Sequence, residues 1–419
     1  MNGPPKGVRP TAMTSAKTAP SITLSAVLAT ALLLSGCQSP ASGKPEAEAP
    51  HGYVEGAEET AERQPRLVLA DSATGTVGVL DLITGDLTGD LVPAGRTAPV
   101  RALLTDGRFA YAATGTGTHV VDGGGWTVDH GDHVHHYRAP VRHLGEIRGE
   151  PPARVHGSTA VTSLSPADGT TRLLDRAALE KGEVGEGTAL KNPAGPAVPH
   201  KDHLVLAGTG PGRDAVEVRG RDGARKTVLA EKCAEPRGEA VTRRGVVLGC
   251  ADGALLVTGE DGRHTGVRIP YGASVEAPRR ADRFTHRPGS TTLTARAGRD
   301  AVWVLDVTAR TWTLIKTGPV AAVNTAGEGT PVLALGEDGV LRAHDPVTGK
   351  RTAERRILTA TRTGDAAVPP PAVEIDADRA YVNDTAAKKV HEIDHGDGLR
   401  ISRTFTLPFP PAHMVETGR

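Results

Sequence analysis

The chain has 419 residues with 49 basic and 49 acidic side chains, so its formal net charge is zero. That balance gives no electrostatic case for a nucleic-acid partner, whose phosphates call for a basic surface. Four Phe and three Trp are too few for an aromatic carbohydrate-binding face to be the first expectation.

At the N-terminus, Lys6, Arg9 and Lys17 precede an apolar run from Ile22 to Leu34 broken only by Thr and Ser, and Leu34-Ser35-Gly36-Cys37 closes it. A short apolar run after positive charge, ending in small residues, reads as a secretion signal, because a spanning helix needs about 20 apolar residues. Cysteine at the cleavage point resembles a bacterial lipobox. Residues 1–36 are therefore expected to be a lipoprotein signal peptide, with Cys37 lipidated and the protein anchored on the outer face of the cytoplasmic membrane. Acyl chains contribute about 0.8 kcal/mol per buried methylene, enough for stable anchoring when more than one is attached. Residues 37–65, rich in Pro, Ala, Gly, Ser and Glu, carry no periodic apolar pattern and are expected to be a flexible tether.

From Arg66 onward one pattern recurs. A short β-branched strand meets a Gly/Asp turn and then a second strand of alternating apolar residues that often ends in Asp. Arg66-Leu67-Val68-Leu69-Ala70-Asp71 leads through Ala73-Thr74-Gly75 into Val77-Gly78-Val79-Leu80-Asp81. The unit returns at Phe109-Ala110-Tyr111, Ala160-Val161-Thr162, Leu204-Val205-Leu206 and Val246-Val247-Leu248, then at Leu293-Thr294-Ala295, Pro331-Val332-Leu333 and Ala380-Tyr381-Val382. A spacing of roughly 40 to 50 residues is the period of radial propellers, in which each small sheet has both faces covered by its neighbours. Helical signals are nearly absent; Asp175 to Lys181 could make a turn or two. The expected fold is all-β, a single β-propeller over 66–419, with eight blades favoured over seven.

Besides Cys37, the only cysteines are Cys233 and Cys250, each beside a β-type run. Outside the cytoplasm two leftover cysteines usually pair. A bridge over a loop of roughly 17 residues contributes about 3 kcal/mol on the chain-entropy view. A disulfide is the expectation, with two free thiols or two metal ligands as the alternatives.

Between the second and third units runs Trp126-Thr127-Val128-Asp129-His130-Gly131-Asp132-His133-Val134-His135-His136-Tyr137. Imidazole and carboxylate are the ligands zinc takes, and imidazole also suits copper and nickel. In an extended segment His133 and His135 point one way and His136 the other, while Gly131 lets the chain turn so that His130 can join from the opposite side. One strand can thus offer two or three ligands, and a fourth would come from another blade. Candidates are His200 and His203 in Pro199-His200-Lys201-Asp202-His203, then His286. His119, His156, His264, His344, His391, His395 and His413 are scattered singly and are expected to be ordinary surface or turn residues; His51 in the tether is a weak signal. The bland alternative for the cluster is a solvated polar loop titrating near neutral pH. The metallo-hydrolase string His-x-His-x-Asp-His is not matched, since the chain reads Asp-His-x-His-His. There is also no Gly-x-Ser-x-Gly elbow, Walker loop or Cys-x-x-Cys-His haem site. The chain is therefore not expected to be an enzyme.

On these residues the chain resembles the AztD-type zinc metallochaperones, extracytoplasmic propeller proteins associated with zinc ABC importers. The resemblance rests on Val128-Asp129-His130-Gly131-Asp132-His133-Val134-His135 and on Pro199-His200 before a β-run. It extends to Cys233 with Gly249-Cys250-Ala251-Asp252-Gly253, and to Ala301-Val302-Trp303-Val304-Leu305-Asp306. It implies capture of Zn2+ outside the cytoplasm and transfer to the solute-binding protein of a zinc ABC importer. By the same resemblance His130, His133 and His135 hold the ion, with Asp132 and His200 next, while His136 stands where an aromatic residue is usual. A monomer touching the membrane only through its lipid is expected. The competing readings are a lipid-anchored interaction scaffold and a metal-dependent propeller hydrolase, the latter needing an open coordination position beside a general base.

Overall fold

The structure, a computed structural model, describes residue 3 and residues 54–93, 96–130, 133–190, 195–260, 262–359 and 368–418. The expected signal peptide, Cys37 and Asp132 lie outside the described residues. Among the described residues no helix is long and apolar enough to cross a membrane.

The first strands in chain order are β1 (Glu58–Thr60), β2 (Arg66–Ala70), β3 (Val77–Asp81), β4 (Leu87–Thr88), β5 (Ala102–Thr105), β6 (Phe109–Ala113), β7 (Gly117–Asp122), β8 (Gly125–Asp129), β9 (Val134–Arg138) and β10 (Arg142–Arg148). Blade one is ordered His413–Thr417, β2, β3, β4, so the last strand closes the ring on the first, with Val68 opposite Val415. Blade two is β5, β6, β7, β10. Blades three, four and five span 152–189, 197–228 and 239–270. Blade six, 292–316, has three strands, its innermost position reduced to a Thr285↔Thr294 bridge. Blades seven and eight span 320–356 and 373–406. The propeller has eight blades.

Each apolar run singled out in the sequence is the second strand of a different blade. Burial there is continuous: every residue of β2, of β6 and of Gly245–Cys250 is buried. Alternation decides which neighbour each side chain meets. In β2, Leu67 and Leu69 pack with Tyr381 and Val390 of blade eight, while Val68 and Ala70 pack with Ala110 and Ala112 of blade two. The same division repeats around the ring, each junction between adjacent blades filled by its own apolar cluster. Outer strands lose this cover, as in Arg351–Arg356, where five of six residues are exposed.

The short helical signal forms α1 (Arg176–Glu180), whose N-cap Asp175 accepts a hydrogen bond from the Ala178 N–H. Cys233 and Cys250 form a disulfide with Cα atoms 5.0 Å apart, tying the segment between blades four and five to the second strand of blade five.

Three expectations need correction. The tether, 37–65, is not without structure throughout, because β1 lies inside it and pairs with β9 from Glu58↔Arg138 to Thr60↔His136. Backbone pairing at an exposed edge needs no apolar periodicity, which is why composition did not reveal it. The singly scattered histidines are not all surface residues: His119, His344, His391 and His395 are buried. His119, His344 and His391 lie on the third strands of their blades, which neighbouring blades cover on both faces, and His395 directly follows such a strand. His264 is not single either, as described below.

Candidate metal centre

Blade two is interrupted between β7 and β10, and the inserted chain forms the hairpin β8–β9. With β1 it makes a separate sheet ordered β1-β9-β8. The insertion begins in Gly123-Gly124-Gly125. Gly124 has φ +72°, and a Cβ there would stand 2.4 Å from the Ala139 carbonyl oxygen, so the turn requires glycine. Gly124 and Ala139 close the hairpin base through a 2.8 Å backbone bond, and Arg66 Nη1 donates to the Gly123 carbonyl at 2.6 Å.

The hairpin rests on a column of stacked groups. The Arg108 guanidinium, buried and 3.6 Å from the fully buried Asp122, lies over the Trp126 ring. Trp126 stacks on Tyr137 at 5.4 Å, and Tyr137 stacks on His135 at 6.3 Å. Trp126 and Tyr137 face each other across the ladder because Asp129↔Val134 sets the register. The same register gathers the imidazoles near the hairpin tip, where the His130 N–H bonds the His133 carbonyl at 3.0 Å.

Ring centroids are 4.9 Å apart for His130–His133 and His133–His135, and 5.3 Å for His130–His135. One ligand nitrogen from each of the three lies within 4.8 Å of the others. His130 and His133 are exposed and His135 half-buried, so the group opens to solvent. Zinc holds imidazole nitrogens at about 2.0–2.1 Å, so modest side-chain rotations would close the three on one ion and leave a fourth position free. The donor chemistry fits zinc.

Glu59, which composition did not mark, completes the surroundings. Its Oε1 is 2.7 Å from His135 Nδ1. A carboxylate accepting the Nδ1–H fixes the tautomer and leaves the Nε2 lone pair for a metal. His136 points to the other side, where its Nδ1 is 3.0 Å from Thr127 Oγ1, and burial, with Arg63 and His135 nearby, lowers its pKa.

His200 does not join this group. It ends the inner strand Ala197–His200 of blade four, opposite His203. His203 in turn packs edge-on against His264 of blade five at 4.5 Å. Burial, then Lys201 and the two neighbouring imidazoles, lower the His200 pKa. His286 is engaged elsewhere, its Nε2 3.1 Å from the Val241 carbonyl. A further pair, His119 Nδ1 and His143 Nε2 at 3.2 Å, links β7 to β10.

No protein-family model matches the sequence, and no curated protein matches it. Solved structures do. The crystal structure of Citrobacter koseri AztD superposes with a TM-score of 0.70 at 20% identity, covering 85% of this chain and 98% of that one. The apo form of Citrobacter koseri AztD gives 0.69 at 18% identity, over 84% and 98% of the two chains. The dihydro-heme d1 dehydrogenase NirN, in complex with DHE, gives 0.52 at 14% identity over 84% and 75%. The chain has the AztD-type propeller fold.

Proposed function

We propose that this protein is an extracytoplasmic zinc metallochaperone: it captures Zn2+ on His130, His133 and His135 and passes it to the solute-binding protein of a zinc ABC importer. The observation that carries this reading is the convergence of three imidazole nitrogens within 4.8 Å at the tip of one hairpin. The likeness of the whole propeller to AztD supports it. In this reading Asp132, outside the described residues, stands next in line as a ligand, and Cys37 carries the lipid that holds the protein on the outer face of the cytoplasmic membrane.

The site suits a carrier rather than an enzyme. Imidazoles open to solvent can be replaced one at a time by a partner's ligands, so the ion need never be free in water. Thiolates would bind more tightly and release more slowly. The Glu59 carboxylate, engaged with His135, serves as a tautomer lock rather than as a general base.

The test is elemental analysis and chelator competition on the protein from Gln38 onward, followed by transfer to the importer's solute-binding protein. One zinc per chain, lost in His133→Ala/His135→Ala without loss of fold, is expected. Unchanged zinc content in that variant would move the site elsewhere.

A further inference from the structure

The ring encloses an axial cavity of about 790 Å³ whose wall is supplied by blades one, two, three, six, seven and eight. Four arginines reach it, Arg154, Arg280, Arg283 and Arg296, against two carboxylates, Asp282 and Glu374. Two of the four are engaged: Arg154 with Glu239 at 3.0 Å and Arg280 with Glu235 at 3.1 Å. Arg283 and Arg296 form no salt bridge with the described residues. Each lies two residues from the Thr285↔Thr294 bridge on its own segment, and both reach the cavity wall.

A concave wall with an excess of cationic side chains reduces screening and focuses the positive field into the cavity. Burial and, after it, the nearby Arg154 cation lower the Arg283 pKa, while Asp282 and Glu239 act the other way. A guanidinium keeps its charge in proteins and presents a planar fork that matches carboxylate and phosphate oxygens. The wall also includes the apolar residues Val323, Val373 and Met414, among polar ones such as Thr285, Asn324 and His413.

We propose that the axial cavity binds a small organic anion, its carboxylate or phosphate held by Arg283 and Arg296 and its apolar body lying against Val323, Val373 and Met414. None of these residues belongs to the histidine hairpin, so this site stands or falls independently of zinc binding.

The test is saturation-transfer NMR on the intact protein at physiological salt, with phenyl phosphate and phenylacetate as probes, repeated after chelator treatment. Saturation transfer to at least one probe, the same with and without chelator, is expected, and the probe that binds better identifies the head group. Arg283→Gln/Arg296→Gln should weaken binding by about tenfold or more, the loss of charge-assisted contacts. Arg299→Gln, on the exposed Arg299–Glu337 pair outside the cavity, should leave it unchanged. If the double variant does not fold, Arg296→Gln alone carries the same two outcomes. Absence of binding by both probes, or equal binding by the wild type and the cavity variant, overturns the proposal.

Discussion

The Arg108 guanidinium lies 3.7 Å from the centroid of the Trp126 ring and so joins the buried ion network of blade two to the base of the histidine hairpin. Arg108 is held by Asp122 and by Glu180, and Trp126 carries Tyr137, against which His135 leans. The solvent-exposed imidazole cluster is thus set on an element whose root is tied into a buried ion network. Trp126→Leu should leave the ring folded and weaken zinc binding by up to roughly tenfold, the scale of one aromatic stack and one cation–π contact. Chelator competition measures this, and an affinity equal to wild type would show that the column does not position the imidazoles.

Glu59 and His135 make the second coupling. Glu59→Gln removes the charge and offers an amide oxygen as a weaker acceptor, whereas Glu59→Ala leaves Nδ1 without that partner. Zinc affinity is expected to fall by about 10- to 100-fold in the alanine variant and by less in the glutamine variant. Equal, small losses in both would mean that Glu59 contributes only surface charge.

His200 and the hairpin should behave independently. His200→Ala is expected to leave the affinity of the hairpin site unchanged, and His136→Ala to lower it slightly through the Thr127 contact. A loss in His200→Ala as large as that in His133→Ala would place His200 among the ligands after all.

The buried histidines predict how stability depends on pH. Burial lowers the pKa values of His119, His143, His344, His391, His395 and His413. In the unfolded chain these groups titrate near their ordinary value of about 6.5. Below that value the unfolded state binds more protons than the folded one, so stability is fully present at higher pH and declines as pH falls toward the folded-state values. In the presence of chelator, the urea midpoint should be lower at about pH 5.5 than at about pH 7.5. A midpoint that rises on acidification contradicts this.

Reduction of the Cys233–Cys250 bridge bears on stability and not on zinc. Cys233→Ser/Cys250→Ser should lose roughly 2–4 kcal/mol on denaturant unfolding. Its zinc stoichiometry should match the wild type, because the bridge joins blade five to the segment before it and the hairpin springs from blade two.

The ring was legible in the sequence because one strand of every blade is buried on both faces. Arg66-Leu67-Val68-Leu69-Ala70 and its seven counterparts had to be apolar at consecutive positions, and their period is the blade. The gathering of the histidines was legible too, because Gly131 lets the chain turn and bring His130 toward His133 and His135, whereas the facing of Trp126 and Tyr137 comes only from the strand register. What could not be read depends on closure or on backbone pairing alone. Glu58-Glu59-Thr60 has no apolar member to betray a strand. His203 meets His264, and Arg154 shares a wall with Arg283, only because the ring places their blades together. His143 gave no signal, since its partner His119 lies 24 residues away on another strand.

The pairing of β2 with His413–Thr417 also sets an order of events. Arg66, which grips the root of the hairpin, gains its strand partner Thr417 only when nearly the whole chain has been delivered, and such a distant contact is among the slowest to form. Until then the histidines can collect on their turn but have no fixed base to aim from. The ability to hold an ion in a defined pose should therefore appear late in maturation, and an incompletely closed ring would be a poor thief of zinc.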